Sequence, residues 1–333
     1  MTDLDDLTAE LGACGEGVTV ERDVPFASLS TYRLGGPVAV LARVRSRAAL
    51  DAVQTVTSTA RPPLLVVGRG SNLLVDDAGF AGVAVLLAGD FETVVLPGDT
   101  AAVAPGEGRD GAGGEATVRA GGAVPLPVLA RRTATGGWAG LEFFVGIPGS
   151  VGGAVRMNAG GHGRETAEVL RAAQLVDLLD SSRDGTGATR SPAMLDHRYR
   201  HSNVGRSHVV VEAEMVVRRD SRAACEDRIA EVVRWRRAHQ PGGSNAGSVF
   251  RNPPDDSAGR LIDVTGLKGL RVGGAVVSDK HANFFQAEAG ATAADVRALV
   301  TEVIRRVEDA TGARLVPELQ IVGEDEGEGK EIR

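Results

Sequence analysis

Two glycine-rich stretches constrain this chain more than any other feature. Gly68–Arg69–Gly70–Ser71–Asn72 directly follows Leu64–Val67, an apolar run bounded by prolines and glycine that reads as a buried strand. Glycines at such a place let the backbone approach a ligand closely, and successive amides pointing one way form a nest for an anion. Ser71 and Asn72 add hydroxyl and amide donors for phosphate oxygens. The pentapeptide is not a Walker loop, because no Gly-Lys-Ser/Thr follows, and no helical pattern opens behind it as a Rossmann fingerprint requires. Alone, it reads equally well as an ordinary strand-to-turn glycine cluster. The second stretch, Gly146 to Gly161, keeps Ile147, Val151, Val155 and Met157 between its glycines, where a mere linker would be polar. Small residues interleaved with apolar ones suit a backbone laid against a large flat ligand. Two such loops on two α/β units point to a nucleotide cofactor with a diphosphate, clamped between them.

Composition removes several alternatives. The 333 residues include 37 Lys plus Arg against 44 Asp plus Glu, a formal net charge of −7, which argues against general nucleic-acid binding. No apolar run approaches the roughly 18 residues that span a bilayer. The acidic start, MTDLDDLTAELGACGEG, is not a secretory signal. Cys14 and Cys225 are the only cysteines, which excludes a disulfide scaffold and suits a reducing cytoplasm. Six histidines (His162, His197, His201, His208, His239 and His281) show no metal-ligand spacing, and no metal site is expected.

Along the chain, residues 1–20 read as a weak helix or a disordered lead. Ser46 caps an amphipathic helix through Leu50, Val53 and Val56 that ends before Pro62–Pro63. Val83–Leu87 adds a strand. From Leu96 to Glu115 the sequence turns to Pro, Gly, Ala and scattered charge, a composition that buries no core and predicts a mobile loop. Thr117–Ala120 is a strand, Pro125–Thr135 a helix closed by Gly136–Gly137, and Leu175–Leu179 a strand followed by turn residues at Ser181–Gly187. Val209–Val217 is a strand, and Ser221 opens a helix carrying Ile229, Val232 and Val233. Thr292 with Asp295 starts a capping-box helix through Val307 that Gly312 stops. Leu315–Val322 alternates, with Leu319 and Ile321 on one face and Glu318 and Gln320 on the other.

Three segments carry candidate chemistry beyond the loops. In Tyr199–Arg200–His201–Ser202, Arg200 is either a surface guanidinium or a fixed cation beside an anionic or enolate-forming substrate. In Asn245–Pro253 the Ala-Gly pair leaves Ser248 accessible. No Gly-x-Ser-x-Gly elbow surrounds it, so proton donation fits better than acyl transfer. Glu318 follows Pro317, and from periodicity alone it is a solvated charge.

In order along the chain, Thr31–Tyr32–Arg33–Leu34–Gly35–Gly36, Gly-Arg-Gly-Ser-Asn, Gly-Ile-Pro-Gly-Ser-Val-Gly-Gly, Tyr-Arg-x-Ser, Asn-Ala-Gly-Ser-Val-Phe-x-Asn-Pro and the late Pro-Glu resemble the UDP-N-acetylenolpyruvoylglucosamine reductase (MurB) family. The motifs span roughly residues 24 to 323, and six in register are specific where each alone is weak. Both tyrosines of a tyrosine-poor chain, Tyr32 and Tyr199, lie inside them.

The resemblance implies an α+β flavoprotein with the FAD-binding fold of the vanillyl-alcohol oxidase (PCMH) type. It would have a lead at 1–20, FAD-binding units at 21–90 and 91–204 (with the 96–115 loop), a third, α+β substrate-binding domain at 205–323, and a disordered tail at 324–333. FAD would be held non-covalently by Gly68, Arg69, Gly70, Ser71 and Asn72, and by Gly146, Ile147, Pro148, Gly149, Ser150, Gly152, Gly153, Asn158 and Gly160. The family's active-site arginine, serine and glutamate fall on Arg200, Ser248 and Glu318, and Tyr199 and Asn252 would meet the substrate. The implied reaction is NADPH-dependent reduction of UDP-N-acetylglucosamine enolpyruvate to UDP-N-acetylmuramate, by a cytoplasmic monomer without nucleic-acid partner or membrane span. No tyrosine follows Tyr199, so the chain looks like the subclass lacking a tyrosine-bearing loop over the diphosphate. Where a family lysine contacts that diphosphate, this sequence has His239, flanked by Arg236 and Arg237. Two other classes remain open on the residues: a flavin oxidase of the same fold, and a non-catalytic nucleotide-binding regulator.

Overall fold

The computed structural model describes residues 4–99, 114–180 and 186–323. Residues 100–113 of the glycine- and alanine-rich stretch, 181–185 of the expected turn and the tail from Glu324 lie outside these. The chain forms two compact units. One comprises Met1–Val20, Leu41–Gly68 and Ala84–Arg236; the other comprises Glu21–Val40, Arg69–Val83 and Arg237–Arg333.

The first unit is built on strand His208–Arg219. Its alternation sends Ala213, Met215 and Val217 into the core and leaves Glu212 and Glu214 less buried. Antiparallel partners flank it, Leu170–Asp177 on one side and Glu115–Gly121 on the other, with Thr186–Arg190 and Val94–Val95 outermost. Helices Leu126–Thr135 and Val151–Met157 bury Leu126, Leu129, Val151 and Val155 in the same core. Helix Arg47–Ala60 starts as Ser46 predicts, the serine Oγ accepting from Ala49 N at 3.3 Å. From this helix Thr57 Oγ1 donates to Leu178 O at 2.7 Å, and Gln54 Nε2 to Asp177 O at 2.9 Å, so two buried polar side chains are satisfied.

From Leu4 the expected lead is regular structure. Leu4–Gly12 is a helix with Leu7 and Leu11 buried, and strand Val18–Pro25 follows. That strand joins Pro37–Val44, Phe80–Leu87 and Leu64–Val67 in a four-stranded sheet in that order.

The second unit packs helices Ala258–Val264 and Ala293–Thr311 with a three-stranded antiparallel sheet, Arg271–Val272, Ala275–Val277 and Phe285–Ala287. The capping box at Thr292 and Asp295 is present, and Gly312 ends the long helix at φ 72°. Asp77 adds a second cap, its carboxylate accepting from Ala293 N and Ala294 N at 2.8 and 2.9 Å. Beside it Arg297 pairs with Asp76 at 2.7 Å. The predicted alternation over Leu315–Val322 is only partly realised. Regular strand covers Gln320–Val322, paired in parallel with Leu73–Val75. Upstream, Pro317 has no N–H to give, and the N–H groups of Glu318 and Leu319 both point to Val249 O.

Candidate active site

The first glycine loop leaves strand Leu64–Val67 with Gly68 and Arg69 exposed. Gly70 sits at φ +56°, and a Cβ there would lie 2.1 Å from Leu29 O, so only glycine fits. Gly70 O accepts from Thr31 N at 3.2 Å. Thr31 Oγ1 and the Tyr32 hydroxyl are buried with no hydrogen-bond partner, and burial pushes the Tyr32 phenol well above its usual range. In the first unit, a Cβ on Gly68 would come 2.5 Å from Ser150 Oγ, so that end of the first loop lies against the second.

Ser150 caps helix Val151–Met157, its Oγ accepting from Gly153 N at 3.3 Å. The next two amides face protein: Val151 N donates to Val124 O and Gly152 N to Gly122 O, at 2.9 and 2.8 Å. Gly152 therefore serves a close approach to Gly122, and the exposed residues of the two loops are Gly68, Arg69 and Pro148, while Gly149 and Ser150 are buried. In the second unit, the desolvated Thr31 hydroxyl that lacks a protein partner, beside Gly70, fits the polar part of a nucleotide cofactor such as FAD. No histidine or cysteine lies in residues 68–72 or 146–153 to tether a flavin.

Arg200 occupies a left-handed turn at φ 53°. Its side chain is 16% exposed and pairs with Glu165 at 3.3 Å, while Nη2 donates to Gly160 O at 3.1 Å. Its guanidinium also lies over the Tyr199 ring, 4.8 Å from the centroid. Asn158 supports this arrangement: buried, it donates to Glu165 Oε2 and Arg198 O and accepts from Ala167 N, all within 3.0 Å. Ser202 Oγ donates to Arg156 O at 2.5 Å. The Tyr-Arg-x-Ser turn is thus stitched onto the second glycine stretch, and Gly160 and Asn158 hold Arg200 through it.

Ser248 and Glu318 come together in the second unit. Gly247 turns at φ +76°, and the chain from Val249 runs beside Pro317–Leu319: Phe250 bridges Pro317, and Glu318 N donates to Val249 O at 2.7 Å. Among the described residues the Ser248 hydroxyl has no hydrogen-bond partner. Asn72, read as a phosphate donor, sends Nδ2 to Glu318 O at 3.0 Å and accepts from Gln320 N at 3.0 Å. It ties the first glycine loop to the glutamate 246 positions away. Asn252 Oδ1 accepts from Ala258 N at 3.1 Å, at the start of helix Ala258–Val264.

The residue that sequence reasoning misses is Asn283. It is 2% exposed, and its side chain accepts from Phe250 N at 3.0 Å and donates to Phe250 O at 2.8 Å, while its own carbonyl accepts from Val249 N at 2.8 Å. An amide inside the apolar run Ala282–Phe285 is the available signal, since a buried asparagine must be satisfied. Asn283→Ala leaves both Phe250 backbone groups unpaired. Urea denaturation should show a loss of roughly 1–3 kcal/mol for each, and an unchanged midpoint would remove Asn283 as the clamp on the Ser248 segment.

Among the described residues no cluster of three or more His, Cys, Asp or Glu side chains could hold a metal ion, and no helix is long and apolar enough to cross a membrane.

Comparison with known proteins matches this architecture piece by piece. Residues 38–181 match an FAD-binding domain family, and residues 239–322 match the C-terminal domain family of UDP-N-acetylenolpyruvoylglucosamine reductase. A reductase of that name from Symbiobacterium thermophilum is 38% identical over 91% of this chain and 92% of its own length. This chain belongs to the UDP-N-acetylenolpyruvoylglucosamine reductase family. Another member, from Thiobacillus denitrificans, is 44% identical over 78% of each chain. The crystal structure of the reductase (MurB) from Thermus caldophilus superposes with a TM-score of 0.74 at 35% identity, covering 92% of this chain and 99% of that one. Like the rest of the UDP-N-acetylenolpyruvoylglucosamine reductase family, the chain has the PCMH-type FAD-binding fold and is a flavin-dependent oxidoreductase.

Proposed function

We propose that the chain reduces UDP-N-acetylglucosamine enolpyruvate to UDP-N-acetylmuramate, with NADPH as the hydride donor. FAD, once bound, would supply hydride-transfer chemistry between NADPH and the vinyl group of the substrate. The glycine loops at 68–72 and 146–153 hold the cofactor, with units 21–90 and 91–204 as its domain and 205–323 as the substrate domain. Arg200, fixed by Glu165 and Gly160 O, stabilises the negative charge that spreads into the substrate carboxylate. Glu318 acts beside that carboxylate, and as a neutral acid it shares a proton with the developing enolate oxygen. Ser248 donates a proton to the carbon next to the carboxylate, completing the lactyl ether. Tyr199 and Asn252 contact the substrate. The enzyme works as a monomer in the cytoplasm, where Cys14 and Cys225 stay reduced.

The observation that carries this reading is the Ser248–Glu318 pairing: a hydroxyl with no partner among the described residues, one residue from the carbonyl that anchors the glutamate. The test is NADPH oxidation by the yellow protein with and without the enolpyruvyl substrate. Substrate-dependent oxidation is expected, and oxygen uptake without NADPH would point to an oxidase instead. Acid precipitation should release all flavin into the supernatant, whereas flavin retained on the precipitate would contradict non-covalent binding.

A further inference from the structure

We infer that Arg251 binds the diphosphate of the sugar nucleotide, an assignment that rests on the substrate class proposed above. Arg251 lies three residues after Ser248 and immediately before Asn252, and its backbone N–H is fixed to Val316 O at 2.9 Å. Its Nε is out of contact with water and has no hydrogen-bond partner, and among the described residues no carboxylate pairs with its guanidinium. Several other cations of the same unit are held by protein groups. Arg260 is held by Asp256, Arg271 by Glu288, Arg297 by Asp76 and Lys268 by Asp263, while Lys280 Nζ donates to Arg237 O. A desolvated guanidinium donor left unsatisfied by protein is a group that an anionic ligand stabilises.

The proposed substrate carries two anions. Its carboxylate sits on the carbon that Ser248 protonates, and Arg200 already answers that charge. Its diphosphate lies across the sugar ring. Arg251 shares the Ser248–Asn252 segment, so the anion left for it is the diphosphate, the one that Arg200 does not answer. The fork of five N–H donors matches two phosphate oxygens at once. Arg251 thus provides a phosphate-binding charge within the second unit.

The experiment uses the FAD-loaded full chain and titrates UDP and uridine separately by calorimetry. The wild type should prefer UDP. Arg251→Ala should weaken UDP by about 10- to 100-fold, as expected for losing hydrogen bonds to a charged group, and leave uridine unchanged. Arg251→Lys should restore part of the difference, and in Arg251→Ala KM for the enolpyruvyl substrate should rise. Unchanged flavin content and thermal midpoint would show that the variants fold. Equal weakening of UDP and uridine, or unaltered UDP binding, would overturn the assignment. Absence of substrate-dependent NADPH oxidation in the wild type would instead sink the proposed reaction, because the UDP and uridine titrations need no turnover.

Discussion

In Ser248→Ala, rapid-mixing flavin reduction by NADPH should run at close to the wild-type rate, while reoxidation by the enolpyruvyl substrate falls by about 10²–10⁴-fold, the usual contribution of a general acid. The two half-reactions separate because only the second needs a proton on carbon. Gly247, Val249 and Asn283 set the backbone at residue 248, and no described hydrogen bond consumes its hydroxyl. The substitution therefore removes a donor without releasing a scaffold contact. Ser248→Cys should recover part of the rate, since a thiol also carries a transferable proton. Equal slowing of both half-reactions would show that Ser248 shapes the loop and moves no proton.

Glu318→Gln should cost on the order of 10²-fold or more in turnover, with flavin content unchanged. The backbone of residue 318 is held at both ends, its N–H on Val249 O and its carbonyl by Asn72 Nδ2, so an isosteric amide keeps its place. What disappears is acid strength opposite the developing enolate. Near-normal turnover in stopped-flow and steady-state assays would reduce Glu318 to a structural residue.

The features legible in the sequence are those encoded within a few residues. Ser46, Thr292 with Asp295, and Gly312 mark helix ends because a cap hydrogen bond reaches only two or three positions. The glycine loops are legible as local composition, although what Gly68, Gly70 and Gly152 approach (Ser150, Leu29 and Gly122) lies elsewhere in the chain. Strand Pro37–Val44 leaves no comparable trace because one of its two sheet partners, Phe80–Leu87, lies far along the chain, and the charges Glu21, Arg22 and Asp23 mask its other partner, Val18–Pro25. The same limit hides Asn283, whose amide is explained only by Phe250, 33 positions earlier. Alternation over Leu315–Val322 places Leu319 inside as expected, but Ile321 is only partly buried. Pro317 and the shared Val249 carbonyl break the period there. Gly152 and Asn158 show how a motif can be recognised while its division of labour is not: much of its hydrogen bonding positions Arg200 and the helix.

Strand Gln320–Val322 lies parallel to Leu73–Val75, almost 250 residues upstream, and this dictates an order of assembly on the ribosome. The second unit gathers Glu21–Val40 and Arg69–Val83 around a segment that begins only at Arg237. While the intervening residues are being translated, Leu74 and Tyr32 must wait without the core they later share with Val296, Leu299 and Leu319. Closing so long a span is slow, because chain entropy is lost before any contact rewards it. The glutamate read as the acid is thus among the last residues set in place, so a chain whose synthesis stops short of Val322 has every other proposed catalytic residue and no strand to seat Glu318.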